Sequence, residues 1–201
     1  MTTTDIQDRP AEPIALFDMD GTLADFDKSM RAKLANLRSP GEDPRADETA
    51  YEDVPYVKAR RRLIKSQPGF WRDLERIPLG FQLLEEALAQ RFMCQILTKQ
   101  PRKIPAAASE KIEWCSQHVP DLPIHLSEDK GVVYGKLLCD DWPEYIERWL
   151  MWRPRGLVIA VAQPWNIDIE KRFPKNVVRF DGGNFAYVRE RMQEIRVTAG
   201  Y

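Results

Sequence analysis

The chain has 201 residues, 43% hydrophobic and 30% charged, a size and composition that fit one soluble globular domain with room for a small subdomain. Thirty Lys and Arg against 31 Asp and Glu leave a net charge of −1, which excludes a bulk electrostatic drive toward nucleic acid or membrane and makes any basic site a local one. No basic-then-apolar leader opens the chain, and the longest apolar run, 157–162, falls far below the roughly 20 residues of a membrane span.

In chain order, a polar tail (1–13) precedes an apolar strand, IALF, at 14–17. Further strands are predicted at 92–97, 123–126, 136–139, 157–162 and 176–180, with helix-spaced apolar residues at 81–90, 106–118, 143–152 and 184–195. Strands alternating with helices predict an α/β fold, a Rossmann-like parallel sheet covered by helices. The run 157–162 is apolar without alternation, as a strand buried on both faces should be. One insertion breaks the rhythm. The 65 residues 27–91 separate the first two strands, where a crossover needs only a dozen or more. They hold helical stretches at 28–37 and around 56–65, a Pro/Gly/Asp-rich loop between them, and the aromatic segment PGFWRDL. The expected organisation is a core of 14–26 and 81–201 with a small helical cap, 27–80, inserted after strand one.

Three cysteines, Cys94, Cys115 and Cys139, are odd in number, widely spaced and free of any C-x-x-C pair. They read as small buried thiols of a reducing cytoplasm. Two histidines, His118 and His125, are too few for a His-based zinc site.

The chemistry is concentrated in FDMDGTLADFD, 17–27. An apolar strand stops at Asp18-Met19-Asp20-Gly21-Thr22, so carboxylates at i and i+2 can converge while the glycine permits the tight turn. Two such charges repel unless a cation lies between them, and hard oxygen donors suit Mg²⁺. Loop capping by both acids is the plainer alternative. Later strands run out into Thr98-Lys99, Asp129-Lys130 and Asp140-Asp141. In a parallel sheet all these ends lie along one rim, where ligands bind.

DxDGT, then Thr, Lys and Asp-Asp in this order resembles the haloacid dehalogenase superfamily of aspartyl-phosphate phosphatases. More narrowly, DMDGTLADF, GFWRDLERIPLG, ILTKQP, SEKIEWCSQH and DKGVVYGKLLCDDWPE resemble segments of the 5'(3')-deoxyribonucleotidases, over 14–144. QPWN at 163–166 also looks like that group. The resemblance implies a phosphomonoester hydrolase for small metabolites, with Asp18 as nucleophile and Asp20 as acid/base. It implies Mg²⁺ held by the Asp18 carboxylate, the Asp20 carbonyl and Asp140, with Asp141 behind them. It also implies Thr98 on a phosphoryl oxygen and Lys130 neutralising charge. The expected partner is a small phosphomonoester, foremost a (deoxy)nucleoside monophosphate, with no nucleic-acid polymer. A sugar phosphate as substrate and a catalytically idle nucleotide-binding module are the rival readings.

Two positions depart from the family pattern: Lys99 replaces the usual Ser, and Glu128 replaces the usual Arg. If Glu128 faced the site it would weaken anion binding, which Lys99 or Arg60 could offset. Phe26, Phe70 and Trp71 are candidates for an apolar slot that takes a flat base, or for packing between cap and core. Tyr56 and Trp165 are weaker candidates for pocket walls. The basic stretch 58–65 either attracts phosphate or is the solvated face of a helix.

Overall fold

The protein is described by a computed structural model over residues 12–47 and 53–197; most of the expected polar tail lies outside these residues. Six strands form one sheet: β1 (Ile14–Phe17), β2 (Met93–Lys99), β3 (Ile124–Ser127), β4 (Leu137–Asp140), β5 (Leu157–Val161) and β6 (Val177–Phe180). Every neighbouring pair is parallel, in the order β3-β2-β1-β4-β5-β6. The chain therefore winds outward from β1 in one direction and then from β4 in the other. The order reverses between β1 and β4, and a crevice opens at such a point beyond the strand ends.

Alternate strand residues serve two apolar layers. Ala15, Phe17, Cys139 and Ile159 pack on one face with Trp114, while Leu16, Leu138, Val158 and Ala160 pack on the other with Trp149. Both faces are thus water-free, which is why the strands read as continuous apolar runs. Each of the Leu, Ile, Val and Phe side chains among them contributes about 1.5–3 kcal/mol by leaving water, and together they hold the strand ends rigid beneath the site.

The helices are α1 (Phe26–Asn36), α2 (Pro55–Lys65), α3 (Pro78–Ala89), α4 (Ala106–His118), α5 (Pro143–Trp152), α6 (Ile169–Arg172) and α7 (Phe185–Val197). Helix α3 starts three residues before the expected 81 because Pro78 sits at its first position, where no N–H is needed. Gly80 then packs on the loop after β1: a Cβ there would meet the Thr22 carbonyl oxygen at 1.8 Å. Strand β2 outruns its expected end and carries Thr98 and Lys99 inside the ladder.

The insertion leaves the core through α1, whose first turn is capped by Asp25 accepting from Lys28 N at 3.1 Å. Met30 and Leu34 of α1 and Val57 and Ile64 of α2 bury its interior. It returns beside its own start, with Asp25 N donating to Glu75 O at 2.7 Å and Ile77 N to Leu23 O at 2.8 Å. Those bonds tie both ends of the insertion to the loop that carries Asp20.

Candidate active site

The loop after β1 is closed by its own backbone: Leu23 N and Ala24 N both donate to Met19 O, and Gly21 N donates to Ala24 O. Gly21 has φ +79°, and a Cβ there would meet Asp141 Oδ2 at 2.3 Å. Only glycine gives both the turn and the close approach. Asp18 N donates to Cys139 O at 2.8 Å, extending the β1–β4 pairing one residue and seating Asp18 at the reversal point.

Two buried ammonium groups divide the acids between them. Lys130, in the short turn after β3, lies 2.8 Å from Asp18 Oδ1 and 2.6 Å from Asp140 Oδ2. Burial works against its charge, but Asp140 and Asp18 outweigh that and hold its pKa above the usual range. The second ammonium, Lys111 of α4, donates to Asp20 Oδ2 at 2.6 Å, Thr98 Oγ1 at 2.9 Å and Lys99 O at 2.9 Å. It also lies 4.7 Å from the centre of the Trp71 ring. Burial pushes the Asp20 pKa up, against Lys111 and with Asp18.

Asp18, Asp140 and Asp141 are all buried, with one oxygen of each within 4.8 Å of the others. Burial raises Asp140 to about 6, with Lys130 opposing it, and raises Asp141 well above the usual carboxylate range with help from Asp140 and Asp18. Asp141 otherwise accepts from the Trp165 indole N–H at 3.0 Å. Three desolvated carboxylates beside one shared ammonium leave excess negative charge, and an all-oxygen donor set of this kind fits a hard divalent cation. Asp20 stands apart from this trio; its side chain faces Lys111.

The pocket above has a volume of about 380 Å³ and is lined by Asp18, Asp20, Phe26, Trp71, Lys99 and Trp165 among others. Phe70 is not in its wall. It braces Phe26 and Trp71 from behind, edge-on, with ring centres 5.5 and 5.2 Å away. Arg60 is also absent from the lining. It holds Glu42 at 2.6 and 3.0 Å and lies over Tyr56, itself away from the pocket. Its neighbour Arg61 takes the place, because the inward stripe of α2 is Val57, Arg61 and Ile64 at i, i+4 and i+7. Glu128 does not line the pocket either; its carboxylate pairs at the surface with Arg102, which holds its pKa down.

Several residues escaped the sequence reading. Lys111 sits on the stripe Ala107, Lys111, Trp114, Cys115, and a lysine within an apolar helical stripe was the available signal for a buried, partnered ammonium. Glu110 beside it accepts from the main-chain N–H groups of Gly69 at 2.7 Å and Trp71 at 3.0 Å. Gln163 donates to Gly21 O at 2.8 Å, and Tyr145 lies between Lys99 and Lys130, each 4.8 Å from its ring centre.

Comparison with known proteins gives this geometry a family. Residues 12–176 match the family model "5' nucleotidase, deoxy (Pyrimidine), cytosolic type C protein". The human cytosolic-type 5'(3')-deoxyribonucleotidase is 33% identical over 142 residues, covering 63% of this chain and 69% of that protein. A Bordetella bronchiseptica protein named as a candidate 5'(3')-deoxyribonucleotidase is 30% identical over 164 residues, covering 77% of this chain and 86% of its own length. A HAD family hydrolase from Deinococcus radiodurans, solved with bound phosphate and sodium, matches with a TM-score of 0.53 at 12% identity. It covers 94% of this chain and 99% of its own, a likeness of fold. Among the described residues, no helix is long and apolar enough to cross a membrane. The chain thus belongs to the cytosolic type C 5'-nucleotidase family, the 5'(3')-deoxyribonucleotidases.

Proposed function

We propose that this phosphatase hydrolyses (deoxy)nucleoside monophosphates through an aspartyl-phosphate on Asp18, with Asp20 as acid and then base. The observation that carries this is the division of two neighbouring carboxylates between two ammonium groups, Lys130 on Asp18 and Lys111 on Asp20. Separate environments for adjacent acids are how one site assigns nucleophile and acid/base roles.

In the first half-reaction an Asp18 oxygen attacks phosphorus, the bond from phosphorus to the ester oxygen breaks, and protonated Asp20 gives its proton to the departing alkoxide. Burial favours that protonated form. In the second, ionised Asp20 takes a proton from water, which attacks phosphorus and breaks the bond to Asp18. Inorganic phosphate and the starting carboxylate result. This route replaces one hard displacement with two easier ones. Thr98, its hydroxyl fixed by Lys111, donates to a phosphoryl oxygen, and Lys130 keeps Asp18 oriented and offsets charge on the transferring group. Asp18 and Asp140, with Asp141 close enough to join, and the Asp20 carbonyl would hold a Mg²⁺ ion, which would supply further positive charge to the transferring group.

Residues 27–80 serve as the cap over a core of 14–26 and 81–201, and the Phe26 and Trp71 rings, 5.3 Å apart, form the wall a base would stack on. The buried, unpaired Cys94, Cys115 and Cys139 accord with work in a reducing cytoplasm. Phosphate release across a panel of nucleoside monophosphates and sugar phosphates with Mg²⁺ tests the reading. Nucleotides should lead, and preference for a sugar phosphate would remove the nucleotide assignment while leaving the phosphatase.

A further inference from the structure

A second concavity opens beside the pocket and shares Lys65 and Pro101 with it. It is a groove of about 820 Å³ between α2 and the loop after β2. One wall carries Lys58, Arg62 and Lys65, at i, i+4 and i+7 of α2, and so on one face. The facing wall carries Arg102 and Lys103 from a different segment, and no acid lines the groove among the described residues. Lys58 pairs with Asp53, and Arg102 with Glu128. Arg62 and Lys103 form no ion pair among the described residues. A chain with a net charge of −1 has no general surplus of cations to scatter here. A solvated helix face accounts for one wall, but two facing walls of like charge repel unless an anion lies between them.

The two buried ammonium groups at the strand ends are already committed, Lys130 to Asp18 and Asp140 and Lys111 to Asp20. Lys99 stands in the pocket wall, two residues before the Pro101 that pocket and groove share. From this continuity of cationic surface we infer that the groove binds a second phosphate of the substrate, so that the favoured substrate is a nucleotide bearing two phosphate groups. The inference rests on the nucleotidase reading and narrows it. The second phosphate is either a terminal one, as in a nucleoside 3',5'-bisphosphate, or the bridging diester of a 5'-phosphorylated dinucleotide.

The test compares the 5'-monophosphate, the 3',5'-bisphosphate and the 5'-phosphorylated dinucleotide of one nucleoside, with p-nitrophenyl phosphate as reference. At low ionic strength at least one doubly phosphorylated compound should exceed the monophosphate about tenfold in kcat/KM. That advantage should vanish in Arg62→Glu/Lys103→Glu, or as salt rises from about 0.05 to about 0.5 M, while p-nitrophenyl phosphate is turned over as before. Which compound gains identifies a terminal or a bridging phosphate. Both substituted residues are exposed, so an unchanged melting temperature is expected and serves as the folding control. If no nucleotide is hydrolysed, the nucleotidase reading fails. The groove is then judged separately, by whether the bisphosphate inhibits p-nitrophenyl phosphate hydrolysis in wild type and not in the double variant. A kcat/KM in wild type no higher for either doubly phosphorylated compound than for the monophosphate, or equal losses on all substrates in the double variant, would overturn the inference.

Discussion

The rim of the sheet and the aromatic wall above it are held by different forces. At the rim, Asp18, Asp20, Thr98, Lys111, Lys130 and Asp140 lock one another through charged hydrogen bonds of 2.6–2.9 Å on rigid strand ends. At the wall, Phe26, Phe70 and Trp71 rest on each other with ring centres 5.2–5.5 Å apart. That wall is tied to the core by Glu110 and by the short pairing of 23–25 with 75–77. Charged geometry is unforgiving of displacement, whereas ring packing tolerates it. Damage to the rim should therefore destroy chemistry on every substrate, and damage to the wall should alter which substrate is preferred.

Asp18→Asn is the largest break. It keeps the shape and removes the attacking charge, so phosphatase activity should fall by several orders of magnitude on all substrates. Lys130 retains Asp140, so the melting temperature should hold. Near-normal turnover by this variant would end the covalent mechanism. Chelation comes next. EDTA should abolish phosphate release and Mg²⁺ restore it, and Asp140→Ala should raise the Mg²⁺ needed for half-maximal rate steeply. Full activity in chelator would show that the three carboxylates serve some other purpose.

Lys111→Met separates the acid from the nucleophile within the rim. The replacement is similar in volume, but Asp20 and Thr98 lose their shared donor. A loss of about a hundredfold in kcat is expected, as for removal of one preorganised donor. Lys111 pulls the Asp20 pKa down, so its removal should raise that pKa. The alkaline limb of the pH–rate profile, where the acid loses its proton, should then move to higher pH. A limb that stays in place would assign that ionisation to another group.

How much of this could be read from residues follows the same division. Strand ends announce themselves through apolar runs that stop at polar residues, so Asp18, Thr98, Lys130 and Asp140 could be placed on one rim before any coordinates. Their meeting is a consequence of parallel topology. Helical surfaces are harder, because one residue of rotation is about 100°: Arg60 is a candidate beside Lys99 for the offsetting charge, whereas Arg61 faces the pocket and Arg60 turns to Glu42. Whether Glu128 faces the site is open from sequence, because its neutralisation by Arg102, 26 residues away in sequence, has no local signal. Lys111 had a signal, its place on an apolar stripe, but its partners lie 91 and 13 residues away. Phe70 and Trp71 are adjacent and alike in sequence, yet only Trp71 lines the pocket.

That asymmetry makes Trp71 the sharper probe of the wall. Trp71→Ala should reduce kcat/KM for nucleotides by tenfold to a hundredfold, the equivalent of about 1–3 kcal/mol of base stacking. Turnover of p-nitrophenyl phosphate should change much less. Trp71 is also buried and in contact with Phe26 and Phe70, so some loss of melting temperature will accompany the change. Phe70→Leu serves as the comparison, since it loosens the packing without removing a residue of the lining. Equal losses on both substrates in Trp71→Ala would reduce its role to packing.

The smallest change tests whether rim and wall are coupled at all. Glu110 and Lys111 are consecutive on α4, yet one holds the wall's backbone and the other holds Asp20. Glu110→Gln preserves shape, but an amide has one oxygen where the carboxylate has two. One of the Gly69 and Trp71 N–H groups would then face an NH₂, and a buried donor left unmet costs about 1–3 kcal/mol. The expected response is a lower melting temperature and local loosening of 69–71, seen as faster amide exchange there. If the wall only selects substrate, KM for nucleotides should rise several-fold while kcat on p-nitrophenyl phosphate is preserved. If the wall also steadies the acid, Trp71 will shift off Lys111, which it now covers at 4.7 Å. The Lys111–Asp20 contact would loosen with it, and the alkaline limb of the p-nitrophenyl phosphate profile would move in the same direction as in Lys111→Met, by less. A changed KM with an unmoved limb would establish two independent regions that happen to share a helix.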